Sequence, residues 1–193
     1  RGSGASTLVN SLRGLAADAE GAAKTGDGST VNTTAPCMYA LEQPAVARLW
    51  DMPGMHHDAE EATLYIRTNG LCYHDFVAVL VSLPAEPVVK DLVAKLQLRS
   101  VPYCVVCRVE QDELLEGGAC NEFGSEHASS IHTEALRSFP EATDIYLVSR
   151  SLDSADLPRL RHNIIMEVCI GRNSDTDQED GSRCPSCTQV FTS

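Results

Sequence analysis

Arg1-Gly2-Ser3-Gly4-Ala5-Ser6-Thr7 runs straight into an apolar helical pattern, the arrangement that a phosphate loop needs. Glycines let backbone N–H groups wrap phosphate oxygens at a helix N-terminus, where the helix dipole favours negative charge. Such a loop then carries a Lys for the β- and γ-phosphates and a Ser or Thr for Mg²⁺, in the order G-x-x-x-x-G-K-S. Gly4 and Ser6 fit the second Gly and the Ser, Ala5 occupies the Lys position, and the first Gly would fall ahead of Arg1. Taken alone, the stretch also reads as a glycine-rich turn capping a helix. A second stretch, Trp50-Asp51-Met52-Pro53-Gly54, ends a short apolar run that starts at Ala45. In a D-x-x-G turn of a nucleotide site, the Asp holds Mg²⁺ through water and the Gly N–H meets the γ-phosphate. A plain strand-ending turn has the same letters, but the two stretches together favour a nucleotide fold.

The elements that must position these residues follow from the apolar pattern. Leu8, Leu12 and Leu15 recur at helical spacing and predict a helix over residues 6–17. Residues 24–44 hold Gly, Thr, Ser, Asn and Pro and read as a long loop with room for a short edge strand. Phe76 to Leu83 is a continuous apolar run, as in a parallel strand buried on both faces, and Pro102 to Val109 and Asp144 to Ser149 read the same way. Val88 to Leu98 is an amphipathic helix, and residues 127–138 and 156–169 are further helix candidates. Strand alternating with helix predicts a doubly wound α/β domain over residues 1–169. Residues 171–183 are polar and acidic, so 170–193 reads as a disordered tail.

Composition narrows the function. The chain has 193 residues with 43% hydrophobic content, enough for one domain with a sizeable core. A net charge of −12 and only three lysines exclude a basic nucleic-acid surface and disfavour direct contact with an anionic membrane. The eight cysteines, at 37, 72, 104, 107, 120, 169, 184 and 187, are scattered and partly in apolar runs, which suits a reducing cytosol. Cys184-Pro185-Ser186-Cys187 has C-x-x-C spacing but lacks a second pair, so a zinc or redox role rests on the tail alone. Cys104 and Cys107 are separated by an odd number along a strand, which puts them on opposite faces and bars a shared metal. His56-His57-Asp58 reads as a solvated loop rather than a ligand cluster.

Several stretches resemble the immunity-related GTPases, in the correct order over about residues 1–168. Ser6-Thr7-Leu8-Val9-Asn10-Ser11-Leu12-Arg13-Gly14-Leu15 is similar to that family's helix after the phosphate loop, and Glu20-Gly21-Ala22-Ala23-Lys24-Thr25-Gly26 to the segment beyond it. Leu49-Trp50-Asp51-Met52-Pro53-Gly54 resembles the family's Trp-Asp-Leu-Pro-Gly. Tyr73-His74-Asp75-Phe76 resembles its Tyr-Asp-Phe-Phe with His74 inserted, and Asp156-Leu157-Pro158-Arg159-Leu160 resembles a helix start.

The resemblance implies a P-loop GTPase-like G domain, with a mostly parallel sheet and helices on both faces. It implies GTP or GDP as ligand with Mg²⁺ as cofactor. The phosphates would meet Gly2, Ser3, Gly4, Ala5, Ser6, Thr7 and Gly54, and the metal would meet Ser6, Asp51 and either Thr33 or Thr34. The family's base-reading Thr-Lys-x-Asp falls on Cys107-Arg108-Val109-Glu110, with Arg108 laying its stem over the base, and Ser149 belongs to the final base loop. Two positions depart from the pattern. Ala5 removes the ammonium that faces charge built up in phosphoryl transfer, although one branch of the family carries Met there and still uses nucleotide. Glu110 places the guanine-reading carboxylate on one extra methylene, which predicts reduced or relaxed guanine affinity.

In this fold the phosphate loop follows the central strand of the sheet, and the chain starts at the loop. The expectation is a sheet with its first, central strand missing, open backbone groups on both neighbours and low stability. No catalytic residue is assigned. The expected function is guanine-nucleotide binding with slow GTP hydrolysis or none, in an interferon-linked defence role. The alternative is a pseudo-GTPase acting as an interaction scaffold. The resemblance further implies self-association through the G domain, and a cytoplasmic protein reaching internal membranes through regions outside this stretch.

Overall fold

The first helix, α1 (Ala5–Leu12), starts from a backbone conformation that glycine alone adopts easily, because Gly4 at its N-cap holds φ at +93°. Its end is equally local. The N–H of Leu15 reaches the carbonyl of Asn10 and that of Gly14 reaches Ser11, with Gly14 left-handed at φ +71°. This double closure is the Schellman arrangement, and it stops the helix at Leu12 although the leucine spacing predicted continuation to residue 17.

The computed structural model describes residues 4–26, 33–42, 47–55, 62–109, 122–149, 156–174 and 188–192, with 122–127, 149, 169–174 and 188–192 as backbone. After α1 come β1 (Cys37–Ala40), β2 (Arg48–Asp51), α2 (Ala62–Thr68), a 3₁₀ turn (Leu71–Tyr73), β3 (Phe76–Ser82) and α3 (Pro87–Leu98). β4 (Tyr103–Val109), α4 (Glu122–Ser138), β5 (Ile145–Ser149), α5 (Asp156–Ser174) and β6 (Thr188–Thr192) complete the order. The six strands form one sheet in the order β1-β2-β6-β3-β4-β5. Among the described residues only the β1–β2 pair is antiparallel, with Cys37 opposite Asp51 and Ala40 opposite Arg48. The expected α/β architecture is therefore present.

Two apolar layers cover the sheet. On one face Val77, Val79 and Val81 pack with Tyr65, Ile66, Val89, Leu92 and Leu96 from α2 and α3, and with Phe139 just after α4. On the other, Phe76, Ala78 and Leu80 pack with Leu8, Val9 and Leu12 of α1 and Leu160, Ile164 and Val168 of α5. Alternate residues of β3 thus feed opposite cores, which is why its sequence is apolar without interruption. Burying each such large aliphatic side chain contributes about 1.5–3 kcal/mol. The edge strand β5 is guarded by Asp156, whose Oδ2 accepts the Leu147 N–H at 2.8 Å.

The central position, expected to be open, is filled. β6 runs parallel to both neighbours, with Val190 opposite Asp51 on β2 and opposite Ala78 on β3. Thr188-Gln189-Val190-Phe191-Thr192 is rich in β-branched and aromatic residues, a composition that suits a strand. α5 also continues to Ser174, beyond the boundary at 169 read from the sequence.

A buried polar contact ties the segment after α1 to the helix. Asn10, 2% exposed, donates Nδ2–H to the Ala23 carbonyl at 2.9 Å and accepts the Ala23 N–H at 2.7 Å. Arg13 adds bonds to the carbonyls of Gly21 (2.8 Å) and Ala40 (3.1 Å), with its guanidinium over the Tyr39 ring.

Two outcomes follow from this construction. A chain ending at residue 187 leaves β2 and β3 without their shared neighbour, so its circular-dichroism melt should lose the cooperative transition of the full chain; an unchanged melt would contradict the central place of β6. Asn10→Ala strips both partners from a buried backbone pair and should cost about 2–4 kcal/mol in urea denaturation.

Candidate functional site

The parallel strands bring their carboxyl ends to one edge of the sheet, where crevice sites form in open α/β folds. Asp51 ends β2, Arg108 and Val109 end β4, and Ser149 ends β5 opposite Val109. The N-terminus of α1 lies along this edge and reaches both sides of it.

On the β2 side, three segments meet at one carboxylate. Ser6 Oγ donates to Asp51 Oδ2 at 2.7 Å, and Thr33 Oγ1 donates to the same oxygen at 3.0 Å. The two hydroxyl oxygens lie 3.4 Å apart. Asp51 is only 2% exposed. Burial raises its carboxyl pKa above the ordinary value, and the hydrogen bonds from Ser6 and Thr33 oppose that rise. Its second oxygen, Oδ1, is buried and has no hydrogen-bond partner among the described residues. Of the two threonines read from the sequence, Thr33 makes this contact, whereas Thr34 is exposed.

These residues fit a Mg²⁺ ion. The donors are hard oxygens, two hydroxyls and one carboxylate, and the orphaned Oδ1 is a buried acceptor that a cation or its water would satisfy. Ser6, Thr33 and Asp51 are the residues that would hold the ion, which would supply positive charge against phosphate oxygens.

The D-x-x-G turn is held from outside. Tyr65 donates its hydroxyl to the Pro53 carbonyl at 2.6 Å, and Met52 and Met55 are buried on either side of Gly54. Trp50 meets His74 edge-on, with ring centroids 6.2 Å apart, so two of the family-like stretches touch.

At the start of α1, the first N–H groups belong to Ala5, Ser6 and Thr7, ahead of the first helical bond from Leu8 N–H to Gly4 O. Such amides are available to an anion. Ala5 is 5% exposed and offers no charge. The side chain of Arg108 passes Gly4, with Nη1 3.3 Å from where a Cβ on Gly4 would stand and Cδ at 3.9 Å. Gly2 and Ser3 lie outside the described residues.

Of the positions that the resemblance assigned to the base, Cys107, Arg108 and Ser149 are among the described residues. Cys107 is fully buried in the core beside α3, its thiol pushed up to about 12 by burial, so its side chain does not face the edge. Cys104 packs in the opposite core, as the strand alternation required. Glu110, His56, His57, Asp58, Cys184 and Cys187 lie outside the described residues. Sequence reading had missed Asn10, Arg13 and Tyr65 as supports. The one signal was a polar Asn10 between the buried Leu8 and Leu12.

The family model for interferon-inducible GTPases (IIGP) matches residues 1–177. Interferon-inducible GTPase 5 of Rattus norvegicus is 37% identical over 75 residues, which span 39% of this chain and 16% of the rat protein. The matched region contains the α1 N-terminus, Thr33, Asp51 and Arg108, the positions that the geometry gathers at one edge. This chain belongs to the interferon-inducible GTPase family.

Proposed function

We propose that this G domain binds GTP or GDP with Mg²⁺, prefers guanine weakly, and hydrolyses GTP slowly or not at all. The observation that carries the reading is the joining of Ser6, Thr33 and Asp51 around a carboxylate whose Oδ1 has no described partner. Phosphates would lie on the amides of Ala5, Ser6 and Thr7 and meet Gly54. The base would lie toward Arg108, Glu110 and Ser149, with the Ser149 contribution made by backbone.

The same chemistry limits turnover. Phosphoryl transfer is catalysed almost wholly by positioning and by charge placed against the developing phosphate charge. Ala5 contributes none at the position where a P-loop carries Lys. This favours binding over catalysis, and it is the observation behind a second reading, a pseudo-GTPase working as an interaction scaffold. The likeness to the rat interferon-inducible GTPase supports an interferon-linked role, and we extend it to innate defence. Self-association through the G domain belongs to the same reading. Among the described residues no helix is long and apolar enough to cross a membrane; association with internal membranes through regions outside this stretch belongs to the same reading.

Titration with fluorescent GTP and GDP, with and without Mg²⁺ and with ATP as competitor, tests the reading. Saturable binding that Mg²⁺ strengthens is expected, with ATP competing measurably but less well than GTP. No binding by the folded chain at millimolar nucleotide would retire the GTPase reading in favour of the scaffold. Glu110→Asp removes the extra methylene and should tighten GDP by roughly tenfold while leaving ATP unchanged.

A further inference from the structure

The two edges of the sheet are finished differently. On β5 the outward Leu147 N–H is taken by Asp156, whereas β1 has no strand beyond it among the described residues. The Leu41 N–H bonds the Ala47 carbonyl, so by alternation the backbone groups of residues 37, 39 and 41 point toward β2. Those of Met38 and Ala40 therefore point outward. One of them is already used, because Arg13 Nε donates to the Ala40 carbonyl at 3.1 Å.

A bare edge strand is a template for another strand, and charged side chains are the usual protection against that. Residues 34–40, Thr-Ala-Pro-Cys-Met-Tyr-Ala, hold no charge in a chain whose net charge is −12. Cys37, Met38 and Ala40 are exposed, Met38 by 46%. Two copies can thus approach through β1 without setting their acidic surfaces against each other.

We propose that β1 is a self-association edge, where a second copy of this chain adds its own β1 antiparallel about a two-fold axis at Met38. In that register Met38 and the partner's Met38 exchange two N–H···O bonds, and each Ala40 N–H meets the partner's Pro36 carbonyl. The reciprocal bond would need an N–H that proline does not have. The carbonyl left over is that of Ala40, the one Arg13 holds. Every outward polar group of the strand is satisfied without moving Arg13. This match selects a second copy, since an unrelated strand has no reason to lack a donor at that one position. Glu42 falls opposite the partner's Thr34, so no like charges are opposed. The two Met38 side chains meet on the sheet face that carries Trp50, the residue opposite Met38 on β2. So short a strand buries less than the roughly 1,200 Å² of stable complexes, which makes the association weak and concentration-dependent. The inference gives a surface to the self-association of the GTPase reading, but it needs no nucleotide.

Sedimentation velocity of the full chain without nucleotide, from low to high micromolar concentration, should show a monomer–dimer equilibrium. Met38→Lys and Met38→Glu, each shown to be folded by its thermal melt, set like charges face to face at the axis. Each alone should weaken dimerisation about tenfold or more, and an equal mixture of the two should restore it, because the introduced charges are then opposite. A chain that stays monomeric at every concentration would overturn the proposal. So would variants that dimerise as readily as the unsubstituted chain, or a mixture that remains monomeric. Because nucleotide is withheld, failure of the nucleotide-binding reading leaves this inference standing; a dimer that forms only with GTP and survives both substitutions would overturn it.

Discussion

A carboxylate taken out of water at the end of a strand must be hydrogen-bonded or faced by a cation, because its desolvation is otherwise uncompensated. Asp51 meets that constraint by drawing in two hydroxyls from remote points of the chain, Ser6 at the first turn of α1 and Thr33 beyond the following loop. Much of the surrounding structure serves this contact. Gly4 starts α1 at the sheet edge, Asn10 and Arg13 pin the segment that leads toward Thr33, and Tyr65 steadies the turn after Asp51. The hydrogen bonds satisfy only one carboxylate oxygen among the described residues, and this is the observation on which the proposed cationic partner rests.

The sheet provides the rigidity that such placement requires. β3 and β4 are buried on both faces between the α1/α5 layer and the α2/α3/α4 layer. β6 carries that rigidity across to β2, because it is the strand through which Asp51's strand joins the rest of the parallel sheet. A site assembled from β2 on one side and β4 on the other therefore depends on a strand contributed by the far end of the sequence.

Much of this was legible in the sequence, for identifiable reasons. The apolar runs at residues 76–81 and 103–107 admit few readings other than buried parallel strands, and Asp51 and Ser6 stand in motifs whose spacing resembles a nucleotide site. What stayed hidden depended on contacts remote in sequence or on backbone geometry. Gly14 ends α1 through carbonyls that the leucine spacing does not encode. The choice between Thr33 and Thr34 is made by which hydroxyl reaches Asp51. The acidic run before Cys184 masked the strand-forming Thr188–Thr192. The reach of Arg108 to Gly4 joins two elements about a hundred residues apart, and no local pattern announces it.

The central claim is that Asp51, with Ser6 and Thr33, forms the oxygen cluster through which a metal ion joins nucleotide to protein. The most direct measurement is the affinity for GTP with and without Mg²⁺ in the unsubstituted chain and in Asp51→Asn. The amide keeps the shape and can still accept from Ser6, but it removes the charge. The account predicts that Mg²⁺ strengthens GTP binding in the unsubstituted chain and that this gain disappears in Asp51→Asn. An equal gain in both would contradict it.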